Sequence, residues 1–580
     1  MRNLVGGGEL LSTESFVYRP QILGTEHIVS AGHHLAADAG YRILEAGGNA
    51  IDAGVAAGIM TNVVLPDNTG FGGVAPIMIY DAKSNAVKSV SGLGVWPSLA
   101  SPEYFENNCN GDLPSGILRS VVPGAPDAWF TALQLYGTMS FEEVVQPSLE
   151  AAKQGFPVPD SYVKAVDTYI EELKAWSSTS EQFIPGGTRL KTGQKLVQTN
   201  LANTFEQLIE VEKTNASKGR TCAIQAARDE FYKGDMAREI VRFSEELGGL
   251  LSMKDLQDFT VEVEVPPRGS YRDYEIATCG FWSQGPLIIQ ILNMVEKINL
   301  QALGHNSSEY IHLVVEIMKL AFADREAYYG DPKFIDVPED ILLSKEYAEQ
   351  RLQSIDLSSA CPDMPESGVI GRSTGHHDFY KGPAGPDRDT SYLCVLDKWG
   401  NMFSATPSDP FGAPIIPDLG FAISSRGSQS WLDRSHPSCL APGKRPRLTP
   451  NPAIVFHEDR PWMAFGTPGG DVQPQAMVQV LLNLIGFNME PQQAIEAPRF
   501  GTHSFPNSFW PHKYSPGLLK LEDRIDDSVE RNLTQKGHVI ERWNAWDEMA
   551  GGVCLAVYGE EQGTLIGAAD PRRQCYAIGR

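Results

Sequence analysis

Three stretches of the chain hold residues that could do chemistry. In the first, Asp389-Thr390-Ser391-Tyr392-Leu393-Cys394-Val395-Leu396-Asp397, a hydroxyl residue stands where a loop feeds a strand-like run. A cut before Thr390 would put a hydroxyl and a free α-amine on one residue. That is the minimal kit for a threonine nucleophile carrying its own base. A threonine at a strand start is also ordinary β-propensity. In the second, Gly466-Thr467-Pro468-Gly469-Gly470-Asp471 follows a strand-like run and opens a helical one. Backbone N–H groups at such a junction can donate to developing negative charge. Gly469 and Gly470 therefore read either as an oxyanion hole or as a plain strand-to-helix turn. In the third, His312, Glu316 and Lys319 share one helix face. A His-x-x-x-Glu pair could ligate a metal, but no third ligand follows at suitable spacing, so a surface salt-bridge face is expected. His376-His377 reads the same way, and no metal site is expected.

These residues need elements to hold them. Upstream of Thr390, residues 371–389 are rich in Gly, Pro and charge and form the clearest linker. Residues 392–396 and 402–406 read as strands joined by the turn at Asp397-Lys398-Trp399-Gly400-Asn401. Further strands are expected at 28–30, 76–80, 453–456, 462–465, 553–557 and 565–568. Residues 35–46 have helical spacing. Gly47-Gly48 ends that helix and Asn49 caps the next, whose small residues require a close-packed neighbour. Helices are expected over 141–153, 161–175, 200–213, 226–247, 287–298, 309–328 and 472–485, with another starting near Pro123. The glycine-rich turn at 67–73 precedes a strand and lacks the Gly-Lys-Ser/Thr ending, so it reads as a turn and not a phosphate loop.

Composition narrows the function classes. The chain has 580 residues, 42% of them hydrophobic, and a formal net charge of −24. That acidity repels phosphate backbones, so no nucleic-acid partner is expected. The eight cysteines include no Cys-x-x-Cys pair, which suits free thiols. No run approaches the ~20 apolar residues that span a bilayer, and the first twenty residues lack a signal-peptide pattern. A soluble, cytoplasmic protein with no membrane partner is the expectation.

Motifs along nearly the whole chain resemble the γ-glutamyltransferase family of N-terminal-nucleophile hydrolases. They include Gly47-Gly48-Asn49-Ala50-Ile51-Asp52-Ala53, Gly70-Phe71-Gly72-Gly73, Val122-Pro123-Gly124-Ala125 and Gly155-Phe156-Pro157-Val158. Ala323-Asp324-Arg325, Gly330-Asp331-Pro332, Asp389-Thr390, Lys444-Arg445-Pro446, Gly466-Thr467-Pro468-Gly469-Gly470 and Ala568-Ala569-Asp570-Pro571-Arg572 follow in order. The resemblance implies an α+β fold, a four-layer αββα sandwich, and self-cleavage between Asp389 and Thr390. It implies a large subunit, 1–389, and a small subunit, 390–580, that stay together, with a higher oligomer possible. It makes Thr390 the nucleophile and, once freed, the base; Gly469 and Gly470 the oxyanion hole; and Thr406 the hydroxyl that steadies the nucleophile. No cofactor is implied, and the partner is a small-molecule amide or γ-glutamyl substrate.

The chain also departs from the family pattern. Where γ-glutamyl enzymes carry an arginine for the α-carboxylate, the matching segment Ser91-Gly92-Leu93-Gly94-Val95-Trp96-Pro97 has Leu93. Arg447-Leu448-Thr449 replaces a Ser-Ser pair, and Ile423-Ser424-Ser425-Arg426-Gly427-Ser428-Gln429 replaces the segment that grips the α-amine. This pattern resembles a divergent branch that includes glutaryl-type cephalosporin acylases. Ser408, Arg426, Arg447, Thr449 and Asp471 are the candidate substrate-binding residues; the two arginines could grip an acyl carboxylate or form structural ion pairs. Three functions follow: an amidohydrolase or acyltransferase for a non-glutamyl acyl group, a γ-glutamyl hydrolase or transpeptidase with rebuilt contacts, or an inactive single-chain binding protein.

Overall fold

The computed structural model describes residues 17–370, 381–382, 390–409, 412–559 and 563–580. Asp389, most of the linker, and His376-His377 lie outside them. Two antiparallel seven-stranded sheets dominate the chain. The first runs in the order Tyr576–Gly579, Ile28–Ala31, Leu393–Leu396, Met402–Ala405, Ile77–Asp81, Ala86–Val90, Val263–Glu264. The second runs Ile22–Gly24, Leu565–Ala569, Cys554–Tyr558, Arg460–Gly466, Ala453–His457, Tyr274–Thr278, Arg268–Tyr271.

Period-two alternation decides which layer each side chain enters. In Leu393–Leu396, Leu393 and Val395 point into a helical layer with Ala53, Ala57 and Ile59. Cys394 and Leu396 point the other way and meet Ile454, Ala464 and Ala556 of the second sheet. That second sheet turns Val455, Met463 and Leu555 onto the helices Pro286–Val295, Ser308–Tyr328 and Gln473–Leu481. The result is helix, sheet, sheet, helix, as the resemblance implied. A strand buried on both faces must be apolar throughout, which is why Leu393–Leu396 shows no polar alternation.

The small-residue helix Ala50–Val64 finds its close neighbour. A Cβ on Gly54 would come 2.2 Å from the Phe403 ring, and one on Gly58 would come 2.4 Å from Trp129. Asn49 caps the helix in a reciprocal box with Asp52. The Ala50 amide donates to Asp397 Oδ2 at 2.8 Å. The same carboxylate accepts from the Trp399 and Asn401 amides, and Gly400 takes φ 89°. One aspartate therefore fixes both the turn after the Thr390 strand and the helix packed on it.

Several helix limits differ from expectation. The 161–175 segment breaks at Tyr169 into Asp160–Thr168 and Ile170–Ala175. The 226–247 segment breaks at Gly234, where a Cβ would collide with the Glu230 carboxylate, leaving Arg220–Lys233 and Asp235–Glu246. The eight cysteines are free thiols. Among the described residues no helix is long and apolar enough to cross a membrane.

Candidate active site

Thr390 sits at the entrance to its strand, 1% exposed. The register explains its partner. Leu393 faces Ala405 in the antiparallel pair, and continuing that pairing backwards sets Thr390 against Ser408. Thr390 Oγ1 and Ser408 Oγ lie 2.8 Å apart. The Ser391 amide donates to Pro407 O at 2.9 Å, and the Ser408 amide donates to Val74 O at 2.9 Å, so backbone bonds lock both residues. This corrects the reading of Thr406 as the supporting hydroxyl. The register sets Thr406 opposite Tyr392, and its hydroxyl has no hydrogen-bond partner among the described residues. The two positions are i, i+2 on one face, so only strand pairing could have separated them.

Behind Ser408 stands a polar cluster. Arg426, 1% exposed, donates through Nη2 to Ser408 Oγ. Its Nε lies 3.9 Å from Asp409 Oδ1, and its guanidinium lies 5.4 Å from the Phe509 ring centroid. Asp409 has φ 92°, unusual for a non-glycine residue. Its carboxylate accepts from the Ser424 hydroxyl and from both the amide and the hydroxyl of Ser425. Segment 423–429 therefore wraps Asp409 and delivers Arg426 to Ser408.

The loop at Gly469 and Gly470 lies at the end of the strand Arg460–Gly466. Their φ values of 121° and 55° lie in the region that favours glycine. Among the described residues neither amide donates to a backbone acceptor. Thr467 Oγ1 braces the loop by donating to Pro468 O and accepting from the Gly552 amide, both at 2.9 Å. Gln284 Nε2 donates to Gly470 O at 2.9 Å and to Thr449 O at 3.1 Å. A cavity of about 420 Å³ opens beside Thr390, Ser391 and Pro468, with Asn68, Lys164 and Arg573 in its walls.

Arg447 and Asp471 are committed to a buried network. Arg447 Nη2 meets Glu326 Oε1 at 2.9 Å, and Asp471 accepts from Arg325 Nη1 and from the Ser508 amide and hydroxyl. Arg325 also meets Glu326 at 2.8 Å. Burial pushes the Glu326 carboxyl up, but Arg447 and Arg325 outweigh it and hold it well below the usual carboxylate range. Of the two roles open to Arg447, the structural ion pair is the one present. Thr449 is likewise engaged, its hydroxyl accepting from Gln429 Nε2 at 2.9 Å.

His312 and Glu316 gain the partner that spacing did not show. His538 Nε2 lies 2.9 Å from His312 Nδ1, and the three side chains form a ligand-like group. Their face is buried, not a surface as expected: Lys319 and Glu316 form an ion pair 1% and 6% exposed, at 2.7 Å. Glu316 Oε2 accepts from the Cys361 amide at 3.0 Å. With a lysine and an amide on its carboxylate, Glu316 is a poor cation ligand. Burial holds His538 down at about 3. Amide hydrolysis is therefore expected to survive incubation with EDTA; a loss that zinc restores would show that the cluster binds metal and supports catalysis.

Two sheets between helical layers, with a threonine at the entrance to a central strand, are the features of an N-terminal-nucleophile hydrolase, which works through a threonine-linked acyl-enzyme. Residues 36–579 match the family described as Gamma-glutamyltranspeptidase, and the chain belongs to that family. It is 32% identical over 561 residues to the glutathione hydrolase-like YwrD proenzyme of Bacillus subtilis (strain 168), spanning 96% of this chain and 99% of that one. The solved structure of LmbA2991HD superposes with TM-score 0.91 at 33% identity, covering 97% of this chain and 100% of the other. Cephalosporin acylase from Bacillus halodurans superposes with TM-score 0.84 at 26% identity, covering 99% of each.

Proposed function

We propose that the chain cuts itself before Thr390 and then hydrolyses or transfers an acyl group through Thr390. The observation that carries this is the Thr390–Ser408 hydroxyl pair at 2.8 Å, at the entrance to a strand buried on both faces. Thr390 Oγ attacks the carbonyl carbon of Asp389, and the peptide nitrogen leaves as the new α-amine. Water then cleaves the ester, giving a carboxylate at Asp389 and a free hydroxyl on Thr390. That amine has a reference pKa of about 7.7–8.0, so a usable fraction is basic near neutral pH. It takes the hydroxyl proton as Oγ attacks a substrate amide and passes it to the leaving amine. The amides of Gly469 and Gly470 receive the oxyanion. Water or an acceptor amine releases the acyl group and restores the hydroxyl.

The acyl group in this proposal lacks an amino-acid head. Leu93 is packed in the core between the sheets, and Arg447 is tied to Glu326. Neither offers an α-carboxylate a bidentate partner. A lost charge-assisted contact of roughly 1.5–3 kcal/mol corresponds to about one to two powers of ten in rate. Butyryl-p-nitroanilide, which has neither the α-amine nor the carboxylate to bind, is expected to give a kcat/KM at least equal to that of γ-glutamyl-p-nitroanilide. A clear preference for the γ-glutamyl compound would replace this reading with a γ-glutamyl hydrolase or transpeptidase whose contacts have been rebuilt. The name of the Bacillus halodurans relative, a cephalosporin acylase, agrees with an acyl group of this kind.

A further inference from the structure

We propose that Arg426 is a positioning residue for the nucleophile, acting through the Ser408 hydroxyl, and not the anchor of a substrate carboxylate. The inference rests on the reading of Thr390 as nucleophile. A hydroxyl has one proton and two lone pairs. The Arg426 guanidinium occupies one lone pair of Ser408 Oγ, and Thr390 Oγ1 lies 2.8 Å from the same oxygen. When Thr390 loses its proton to a base, its oxygen becomes an acceptor, and the Ser408 O–H is the donor in place. A fixed positive charge on the far side of Ser408 polarises that O–H and strengthens its bond to the developing alkoxide. Arginine stays charged at every working pH, and burial leaves little water to screen it.

The surroundings hold the guanidinium there. Asp409 lies 3.9 Å from Nε, and the Phe509 ring centroid lies 5.4 Å from the guanidinium carbon. Ser424 and Ser425, which precede Arg426 in the chain, are pinned to the Asp409 carboxylate. The contact exists in the uncut chain, before any substrate site is completed. It should therefore assist the first reaction, self-cleavage, in which no acyl substrate takes part. A carboxylate anchor would have no effect on that step.

The test compares wild type, Arg426→Gln, Arg426→Lys, Ser408→Ala and the double variant Ser408→Ala/Arg426→Gln. Self-cleavage is followed after cell-free synthesis. On processed enzyme, kcat and KM are measured with butyryl-p-nitroanilide, which is uncharged, and with glutaryl-p-nitroanilide. Arg426→Gln is expected to slow self-cleavage and to lower kcat about 10- to 100-fold on both anilides, with KM unchanged. In the Ser408→Ala background the same substitution should add little, because its path to Thr390 is already cut. Arg426→Lys should recover part of the rate, and it carries the comparison if Arg426→Gln does not fold. A rise in KM for the glutaryl compound alone, with self-cleavage untouched, would overturn the inference in favour of a carboxylate anchor. Full additivity of the two substitutions would also overturn it. Neither result would touch the assignment of Thr390, which stands or falls with its own variant.

Discussion

Thr390→Ala is expected to remain one 580-residue chain and to lose amide hydrolysis by about 10⁴-fold or more. The substitution removes the attacking oxygen of both reactions, self-cleavage and acyl transfer, and leaves no bond for the freed amine to assist. It should cost little stability. Thr390 carries one hydroxyl and one methyl, and its backbone pairing with Ser408 does not depend on either. A thermal transition close to that of wild type, with one band on a denaturing gel, separates loss of chemistry from loss of fold. Thr390→Ser keeps hydroxyl and amine and should still cleave. If Thr390→Ala still splits into two chains, another residue makes the cut.

Glu326→Ala carries the largest expected cost in stability. Glu326 is buried between Arg447 and Arg325, with His436 Nε2 at 3.2 Å. Removing it leaves Arg447 buried beside a second arginine, with Asp471, already paired to Arg325, as the remaining counter-charge. Breaking a buried pair in this way costs about 3–5 kcal/mol. The thermal transition should fall by several degrees and soluble yield should drop. Activity should fall too, because Arg325 holds Asp471 and also donates to Gln284 Oε1 at 3.0 Å, while Gln284 fixes the Gly470 carbonyl. The pH dependence follows from the depressed carboxyl. Glu326 is ionised in the fold far below its unfolded value of about 4.3. Its contribution is therefore complete above that pH and is lost as pH falls through the lower folded value. Wild type should lose stability on acidification below about pH 4, and Glu326→Ala should lack this component. An Ala variant as stable as wild type would show that the two arginines are neutralised by other groups.

The strand after Thr390, its Asp397 turn and the small-residue helix were legible because each signal is local. Alternation, a turn glycine and a run of alanines and glycines all act within a few residues. The sandwich was legible only through motifs read together as a family. What the sequence hid depends on partners far along the chain. Thr406 and Ser408 are equivalent by residue type and by face, and only the pairing of Leu393 with Ala405 decides between them. The choice between the two roles of Arg447 stayed open because its partner Glu326 lies 121 residues away in sequence, on the helix Ser308–Tyr328. His312 and Glu316 lacked a third partner because His538 comes from a turn 226 residues on. The breaks at Tyr169 and Gly234 fall inside segments whose helical spacing continues across them.

The most direct test of the account is intact-mass spectrometry of purified enzyme quenched during turnover of glutaryl-p-nitroanilide. Two chains are expected, 1–389 and 390–580, with the glutaryl adduct on the second and mapped to its N-terminal residue, Thr390. A single chain after prolonged incubation at neutral pH, or an acyl adduct on any other residue, would contradict it.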